Sequence, residues 1–286
     1  MGDIRTMAQL LNALTHGYTV KDGKIIKPQK EKLLQKRVYI PPRQGQHFCI
    51  SIAGHTIGID SLYSEIRSVC KNYLSDLEPE IRIQIGQDDL DKEREEAKWA
   101  DFPNNDSYLE TMAVHRKISE EMLNFNTFLM HGAVVAVNQE AYMFTAESGT
   151  GKTTHIKKWL NNLSSAYVVN GDKPLIKMEE SQAIVCGTPW CGKEGMGNNV
   201  MVPLKAIVLM ERGENNKIQE ISFGQALTSL LLQTHRPKDG EKMKKTLALL
   251  NKLKGKVRFY RFVFNNLKDD AFIVSYQELT GSAEQK

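Results

Sequence analysis

One segment of this chain of 286 residues constrains its fold more than any other, because it joins a strand signal to a glycine-rich turn and a helix signal. Residues 141–145 form an apolar run that predicts a buried strand, and residues 152–163 have the spacing of a helix. The residues between them read AESGTG, and the helix begins with KTT. The pattern matches the phosphate-binding consensus G-x-x-x-x-G-K-[ST] except at its first glycine, where the chain has Ala146. The segment therefore predicts a loop that binds the phosphates of a nucleoside triphosphate.

The residue types of this loop suit an anion for separate physical reasons. Glycines let the backbone take unusual angles, so that successive N–H groups point at phosphate oxygens, and the following helix adds the positive end of its dipole. Lys152 is expected to neutralise the β- and γ-phosphates, and the Thr153 hydroxyl to bind Mg²⁺. The cofactors expected are thus ATP and Mg²⁺, and the predicted nucleotide-binding residues are Glu147, Ser148, Gly149, Thr150, Gly151, Lys152, Thr153 and Thr154.

Two further polar residues could act with the loop. Residues 166–170 predict a strand that leads into Asn-Gly-Asp, which places Asp172 where a metal ligand or a base toward a hydroxyl is needed. A turn aspartate without a functional role is the alternative interpretation. His131 lies inside the apolar run 128–137, and a lone histidine in such a run is by itself more typical of a core residue.

A second glycine-rich loop, residues 187–199, would also allow close approach of the backbone to a ligand. Within it, Lys193 is a candidate for carrying charge to a transferred phosphoryl group, and Trp190 for forming a wall against a substrate; a long surface loop is the alternative. Arg236 is a candidate second cation over the phosphates, although a surface position at the start of a helix is the more common explanation of such an arginine.

The remaining pattern divides the chain into three parts. Residues 1–46 carry nine Lys or Arg against three Asp or Glu, and we interpret them as a basic leader and linker. Residues 47–125 predict a small α/β unit, and residues 126–286 predict a strand-rich nucleotide-binding kinase domain. The fold class expected is therefore mixed α/β, with a smaller N-terminal α/β unit.

The individual elements follow from hydrophobic periodicity. Strands are predicted at 48–53, 81–85, 128–137, 141–145, 166–170, 174–178, 183–187, 204–210, 217–221 and 257–263. Helices are predicted at 8–16, 61–75, 107–124, 152–163, 224–233, 238–253 and 268–279. Residues 17–46 are expected to be otherwise irregular, and residues 88–98 to be a charged surface.

Composition excludes several other classes of protein. The sequence contains no run of about 18 apolar residues and no secretory signal at its start, so a cytoplasmic protein without membrane contact is expected. The basic leader has no aromatic residues at a stacking period, which argues against nucleic acid as a partner. No C-x-x-C pair occurs, so neither a disulfide framework nor a zinc site is expected from Cys49, Cys70, Cys186 and Cys191.

Taken together, the motifs resemble those of a known group of enzymes. The run SGTGKTT is similar to the phosphate loop of ATP-dependent phosphoenolpyruvate carboxykinases. His131-Gly132, the loop and Asp172 resemble the corresponding set in bacterial HPr serine kinases, as do the segments NGDKP and GTPW. The resemblance covers about residues 127–265 and implies a P-loop kinase unit of the HPr kinase/phosphoenolpyruvate carboxykinase type. The carboxykinase is far longer and its oxaloacetate site has no counterpart here, which argues against decarboxylation.

The resemblance also implies roles for individual residues. It places His131 beside the phosphates, assigns Lys152 and Thr153 to phosphate and metal, and matches Asp172 to the second member of an Asp-Asp pair. The first member of that pair is Gly171 in this chain. Since one aspartate of the pair is the base toward serine in HPr kinase, the base here would be Asp172, His131 or another group.

Two functional hypotheses follow. The first is a phosphotransferase that passes the γ-phosphoryl group of ATP to a hydroxyl of a protein, peptide or small molecule, with Lys193 or Arg236 as an additional cation. The second is a nucleotide-gated binding module without phosphotransfer, which Gly171 and the basic leader favour. The related kinases assemble as oligomers, so the resemblance also raises the expectation of a homo-oligomer.

Overall fold

A computed structural model describes residues 19–21, 24–26, 45–97, 105–265 and 270–281. Its strands are β1 Thr19–Lys21, β2 Lys24–Ile26, β3 Gln46–Ile52, β4 His55–Ser61, β5 Leu74–Ser75, β6 Ile81–Gln84, β7 Thr127–Leu129, β8 Ala133–Val137, β9 Glu140–Thr145, β10 Tyr167–Asn170, β11 Leu175–Met178, β12 Ala183–Cys186, β13 Met201–Arg212, β14 Lys217–Ile221 and β15 Arg258–Phe264. Its α-helices are α1 Glu65–Val69, α2 Gln87–Ala97, α3 Asp106–Glu121, α4 Lys152–Asn162, α5 Phe223–Gln233, α6 Gly240–Asn251 and α7 Ala271–Thr280. The fold is therefore mixed α/β and rich in strands, as the sequence predicts.

The N-terminal part forms a four-stranded sheet in the order β5-β3-β4-β6. One hydrophobic cluster joins this sheet and α3 to residues of the larger sheet, among them Leu129, Leu175 and Ile184. The two sheets thus share a core. The division into units at residues 125 and 126 is not marked by a break in packing, and it stays a prediction.

The larger sheet has nine strands and consists of two halves that share β13. In the antiparallel half, β7, β11 and β12 pair in turn, and β12 pairs with the first three residues of β13. In the mixed half, the rest of β13 runs parallel to β9 and β15, while β8, β10 and β14 are antiparallel to their neighbours.

The chain crosses between the halves at two short links that lie side by side. The first link, residues 130–132, leads from β7 to β8, and the second, residues 171–174, leads from β10 to β11. The Gly132 N–H donates to the Asp172 carbonyl at 2.8 Å, which ties the links together. His131 and Asp172, far apart in sequence, are therefore neighbours because of the sheet topology.

Several expectations about local structure were wrong or lie outside the described residues. The apolar run 128–137 is two strands rather than one, and it breaks at the first link. The predicted helix over 61–75 contains only α1, a 3₁₀ turn at Lys71–Tyr73 and β5. The segment 17–46 also differs, since β1 and β2 form an antiparallel pair within it. The described part of the charged segment 88–98 lies on α2, and most of its charged side chains are exposed. The predicted helix at 8–16 lies outside the described residues.

Within the described ranges, no helix combines the length and the apolar character that a membrane crossing requires.

Candidate active site

The phosphate loop connects the end of β9 to the first turn of α4. Gly149 has φ of +79° and Gly151 has φ of +117°, backbone angles that favour glycine over any residue with a side chain. Gly151 is the N-cap residue of α4, and no side chain caps that end. The N–H groups of the first helical turn are thus available to an anion, together with the positive end of the helix dipole.

Lys152 lies over this loop and is buried, with 7% of its surface exposed. Its Nζ donates to the carbonyl oxygens of Ala146 at 2.8 Å and Glu147 at 3.2 Å. Burial lowers the pKa of Lys152, and the charge of Asp172 opposes that shift. The ammonium group is therefore held at the loop by neutral acceptors and lies within the electrostatic reach of one carboxylate.

Arg212, at the end of β13, fixes the backbone of the loop from outside. Its guanidinium donates from Nη2 to the Gly149 carbonyl at 2.6 Å and from Nε to the Thr150 carbonyl at 3.2 Å. These bonds restrain the residues whose backbone angles depend on glycine. Sequence reasoning missed Arg212, because it is distant along the chain and carries no motif of its own.

His131 and Asp172 form a pair where the two links meet. His131 Nε2 lies 3.1 Å from Asp172 Oδ1, and His131 Nδ1 lies 2.7 Å from Gln233 Oε1. Each ring nitrogen of His131 therefore has a polar side-chain partner, a carboxylate oxygen on one side and the Gln233 amide on the other. His131 is thus in a link between strands and bonded to a carboxylate, rather than in the interior of an apolar strand.

Asp172 is half-buried and lies among positive charges. Burial raises its pKa, but the hydrogen bond from His131 and the charges of Lys173 and Lys152 outweigh burial and leave the pKa below its ordinary value. Lys173 Nζ is 3.7 Å from Asp172 Oδ2. The Asp172 carboxyl is therefore ionised at neutral pH and close to the phosphate loop.

Asn170 holds the turn that carries Asp172. Its side-chain oxygen accepts from the backbone N–H groups of Asp172 at 2.9 Å and Lys173 at 2.7 Å. Its amide nitrogen donates to the carbonyl and the hydroxyl of Thr188, both at 3.0 Å. This buried residue thereby connects the second link to the loop over residues 187–199.

Gly171 leaves no space for the acidic residue that the resemblance would place there. A Cβ at this position would lie 2.7 Å from the Cys191 carbonyl oxygen and 3.0 Å from the Met196 carbonyl oxygen. Both contacts are with backbone atoms, so neither can be relieved by a change of side-chain rotamer. Asp172 is therefore the single carboxylate of this turn for a spatial reason.

The loop over residues 187–199 covers Asp172 from one side. Gly192 has φ of +75°, and a Cβ there would lie 3.0 Å from the Asp172 Cβ. Lys193, the next residue, is exposed. Trp190 is 9% exposed, and its ring packs 4.6 Å from the ring of His115, so it belongs to the core and does not form a free wall. Lys193 therefore follows directly after the glycine that packs against Asp172, and its side chain is exposed.

Arg236 follows the C-terminal end of α5 and is half-buried, which corrects the expectation of a surface arginine at the start of a helix. Its Nη1 donates to the Leu232 carbonyl at 3.4 Å, and burial lowers its pKa. The nearby residue that contacts His131 is Gln233, at the end of α5. Sequence reasoning missed Gln233, which is 102 positions away from its partner.

The donor atoms near the loop suit Mg²⁺ and a triphosphate. The Thr153 hydroxyl and the Asp172 carboxylate are hard oxygen ligands, and Thr153 is half-buried beside Lys152. Among the described residues, no group of three or more His, Cys, Asp or Glu side chains is placed to hold a metal by itself.

Comparison with known proteins finds structural likeness at a low score. No protein-family model matches the sequence, and no curated protein matches it significantly. Among solved structures, the Hpr(Ser) kinase/phosphatase from Coxiella burnetii superimposes with a TM-score of 0.33 and 11% identity. The superposition covers 52% of this chain and 95% of that one. At this score the arrangement around Lys152 and Asp172 has to be interpreted from its own geometry.

Proposed function

We propose that this protein is an ATP-dependent kinase that transfers the γ-phosphoryl group to a hydroxyl. The observation that carries the proposal is the position of an ionised carboxylate, Asp172, beside a glycine-rich loop that presents Lys152 and an uncapped helix end. An anion-binding loop alone would support only nucleotide binding. A carboxylate bonded to His131 at the same place adds the group that a hydroxyl acceptor needs.

The residues divide the work as follows. Lys152 exchanges its bonds to loop carbonyls for bonds to phosphate oxygens, and the loop N–H groups bind the remaining oxygens. Thr153 and Asp172 would hold Mg²⁺, which when bound neutralises charge on the phosphates. Asp172 orients the acceptor hydroxyl and accepts its proton, while His131 holds the carboxylate in place. Lys193 and Arg236 are proposed as additional cations that stabilise charge on the transferred phosphoryl group.

A second candidate function is a nucleotide-gated binding module without transfer. The close contacts around Gly171 favour it, since they leave the turn with one carboxylate instead of two. For phosphoryl transfer, Asp172 would have to serve both as a ligand of Mg²⁺ and as the base toward the acceptor hydroxyl. The experiment below separates the two functions.

Transfer from γ-labelled ATP, in Mg²⁺, to a mixed pool of proteins, peptides and small alcohols tests the proposal. Lys152→Met should lose Mg-ATP affinity and transfer together, because it removes a phosphate contact. Asp172→Asn should lower transfer by roughly 10²-fold or more, the usual contribution of a positioned base. Asp76→Asn, the same change at an exposed aspartate, is the matched control and should leave both unchanged.

The outcomes point in different directions. Label in an acceptor that disappears in both site variants supports the kinase. Tight Mg-ATP binding with neither transfer nor hydrolysis would reject the kinase in favour of the binding module. Release of phosphate with no labelled acceptor would instead identify an ATPase.

A further inference from the structure

A cavity of about 310 Å³ lies beside His131. Side chains of α2 and α3 form one wall, and residues 232–235, at the end of α5, form another. His131 and Lys173 line it where it approaches the candidate active site. Since His131 is bonded to Asp172, the cavity begins one side chain away from the carboxylate proposed to accept a proton.

Two histidines that line the cavity, His115 and His235, each have a buried ring nitrogen without a hydrogen-bond partner among the described residues. Nε2 of His115 is buried and has no hydrogen-bond partner among the described residues. Nε2 of His235 is also buried, and its nearest carboxylate oxygen, on Glu120, is 3.9 Å away, which is too long for a hydrogen bond. Buried polar atoms are normally bonded, so these two nitrogens are the groups of the wall that a water molecule or the polar part of a ligand would satisfy.

The charge of the wall is already balanced. Arg116 Nε lies 2.6 Å from Glu93 Oε1, and Lys238 Nζ lies 2.8 Å from Glu96 Oε1. Lys173 is the remaining cation of the wall, and it faces Asp172. A ligand with a strong net charge would therefore find no uncompensated partner.

Apolar side chains complete the cavity. Met112 of α3, Leu129 of β7 and Leu232 of α5 contribute to its lining. Burial and the nearby charges of Lys173 and His235 hold the pKa of His115 well below its ordinary value, so its ring is neutral and can donate or accept according to its tautomer. Small-ligand sites combine an apolar lining with a few converging polar groups in this way, and the volume is at the small end of their range.

We infer that this cavity binds the phosphoryl acceptor, and that the acceptor is a small uncharged or zwitterionic alcohol whose hydroxyl lies beside His131 and Asp172. The inference rests on the kinase function proposed above. The orphaned nitrogens of His115 and His235 bond the polar body of the alcohol, and the side chains of Met112 and Leu232 cover its carbon atoms.

The transfer step is balanced without any further reactant. The alcohol oxygen forms a bond to the γ-phosphorus as the bond from that phosphorus to the β–γ bridging oxygen breaks. The hydroxyl proton passes to the Asp172 carboxylate, and the products are a phosphate monoester and ADP. Asp172 then releases the proton to solvent.

Filling the cavity tests the inference. Leu232→Trp and Met112→Trp each place an indole in the cavity from a different wall, and Thr228→Trp places the same group on an exposed position of α5 as the matched control. The probes are L-serine, L-threonine, glycerol, glucose, myo-inositol and adenosine, with γ-labelled ATP and Mg²⁺. A size-fractionated protein extract serves as the macromolecular acceptor.

The expected result is transfer to at least one small probe that falls by at least about tenfold in both cavity variants, while Mg-ATP affinity and the Thr228→Trp variant stay as in the wild type. His115→Phe should keep the ring packing against Trp190 and raise KM for the small probe more than KM for ATP. A general loss of structure would not raise the KM for the small probe more than the KM for ATP.

The contrary results are equally specific. Transfer to a small probe that survives in both cavity variants would overturn the inference and leave the kinase function standing. Label that appears only in the protein fraction would also overturn it, because the acceptor would then be macromolecular. If no acceptor is labelled at all, thermal unfolding with each probe decides, and the absence of a Leu232→Trp-sensitive upward shift in the wild type rejects the cavity as a binding site.

Discussion

Adding one methyl group at Gly171 should destabilise the protein, because the site for that group is already occupied. The added Cβ of Gly171→Ala would lie 2.7 Å and 3.0 Å from the carbonyl oxygens of Cys191 and Met196. Overpacking a folded interior commonly costs about 1–3 kcal/mol. For a chain of this size, about 2–4 °C of melting temperature is lost per kcal/mol, so a decrease of roughly 2–12 °C is expected.

Thermal and urea unfolding, followed by circular dichroism, measure this change. Gly240→Ala is the matched control, since a Cβ at Gly240, the first residue of α6, would meet nothing within 4 Å. That control should be neutral or slightly stabilising, because alanine restricts the unfolded chain more than glycine does. Both variants make the same chemical change, so their difference isolates the contacts around Gly171.

The same reasoning extends to Gly171→Asp, which would give the turn two adjacent acidic residues. Its larger side chain should destabilise the protein at least as much as alanine, and transfer should decrease as the turn that carries Asp172 moves. If Gly171→Ala melts with the wild type, or if Gly171→Asp raises the rate of transfer, the spatial explanation for the single carboxylate is wrong.

Three other predictions address the loop, the turn and a buried acid. Arg212→Ala should weaken Mg-ATP binding about fivefold, measured by calorimetry, because hydrogen bonds worth roughly 1 kcal/mol no longer restrain the loop. Arg261→Ala, at an exposed ion pair on β15, is the control and should leave the affinity unchanged. Equal dissociation constants for the two variants would contradict this role of Arg212. Asn170→Ala removes the acceptor of two backbone N–H groups and should lower the free energy of unfolding by about 2–4 kcal/mol and reduce transfer more than nucleotide affinity; wild-type unfolding curves would rule it out. Burial raises the pKa of Glu110 to about 7, so the folded state holds its proton more tightly and stability should fall by up to about 3 kcal/mol as pH rises from about 4.5 to 7; Glu110→Gln should flatten that dependence, and parallel pH profiles for the two proteins would refute it.

The sequence predicted those parts of the site whose signals are local. The phosphate loop follows from an apolar strand, two glycines and a helix start within one continuous segment, and β9 and α4 begin or end within one residue of the positions expected. The strand before Asp172 was found for the same reason. Hydrophobic periodicity is enough where neighbouring residues decide the structure.

Long-range contacts explain what the sequence could not reveal. The apolar run 128–137 looks continuous because every residue around His131 is apolar or small. Backbone hydrogen bonds from the first link to Pro174, Gln233 and Asp172 interrupt it. β4, His55–Ser61, carries polar residues and a glycine, and it becomes a strand through its pairing with β3 and β6. Arg212 likewise gains its role from the sheet that brings the end of β13 to the phosphate loop.

The two links between the half-sheets have a consequence for the order in which the protein folds. A chain in which only one half-sheet has formed would hold neither His131 nor Asp172 in place, because each residue is fixed between a strand of one half and a strand of the other. Nucleotide binding that depends on this pair would thus begin late, after the most sequence-distant pairings are made. Mg-ATP would then stabilise the completed molecule and no partly folded form, so that ligand affinity itself reports whether folding has finished.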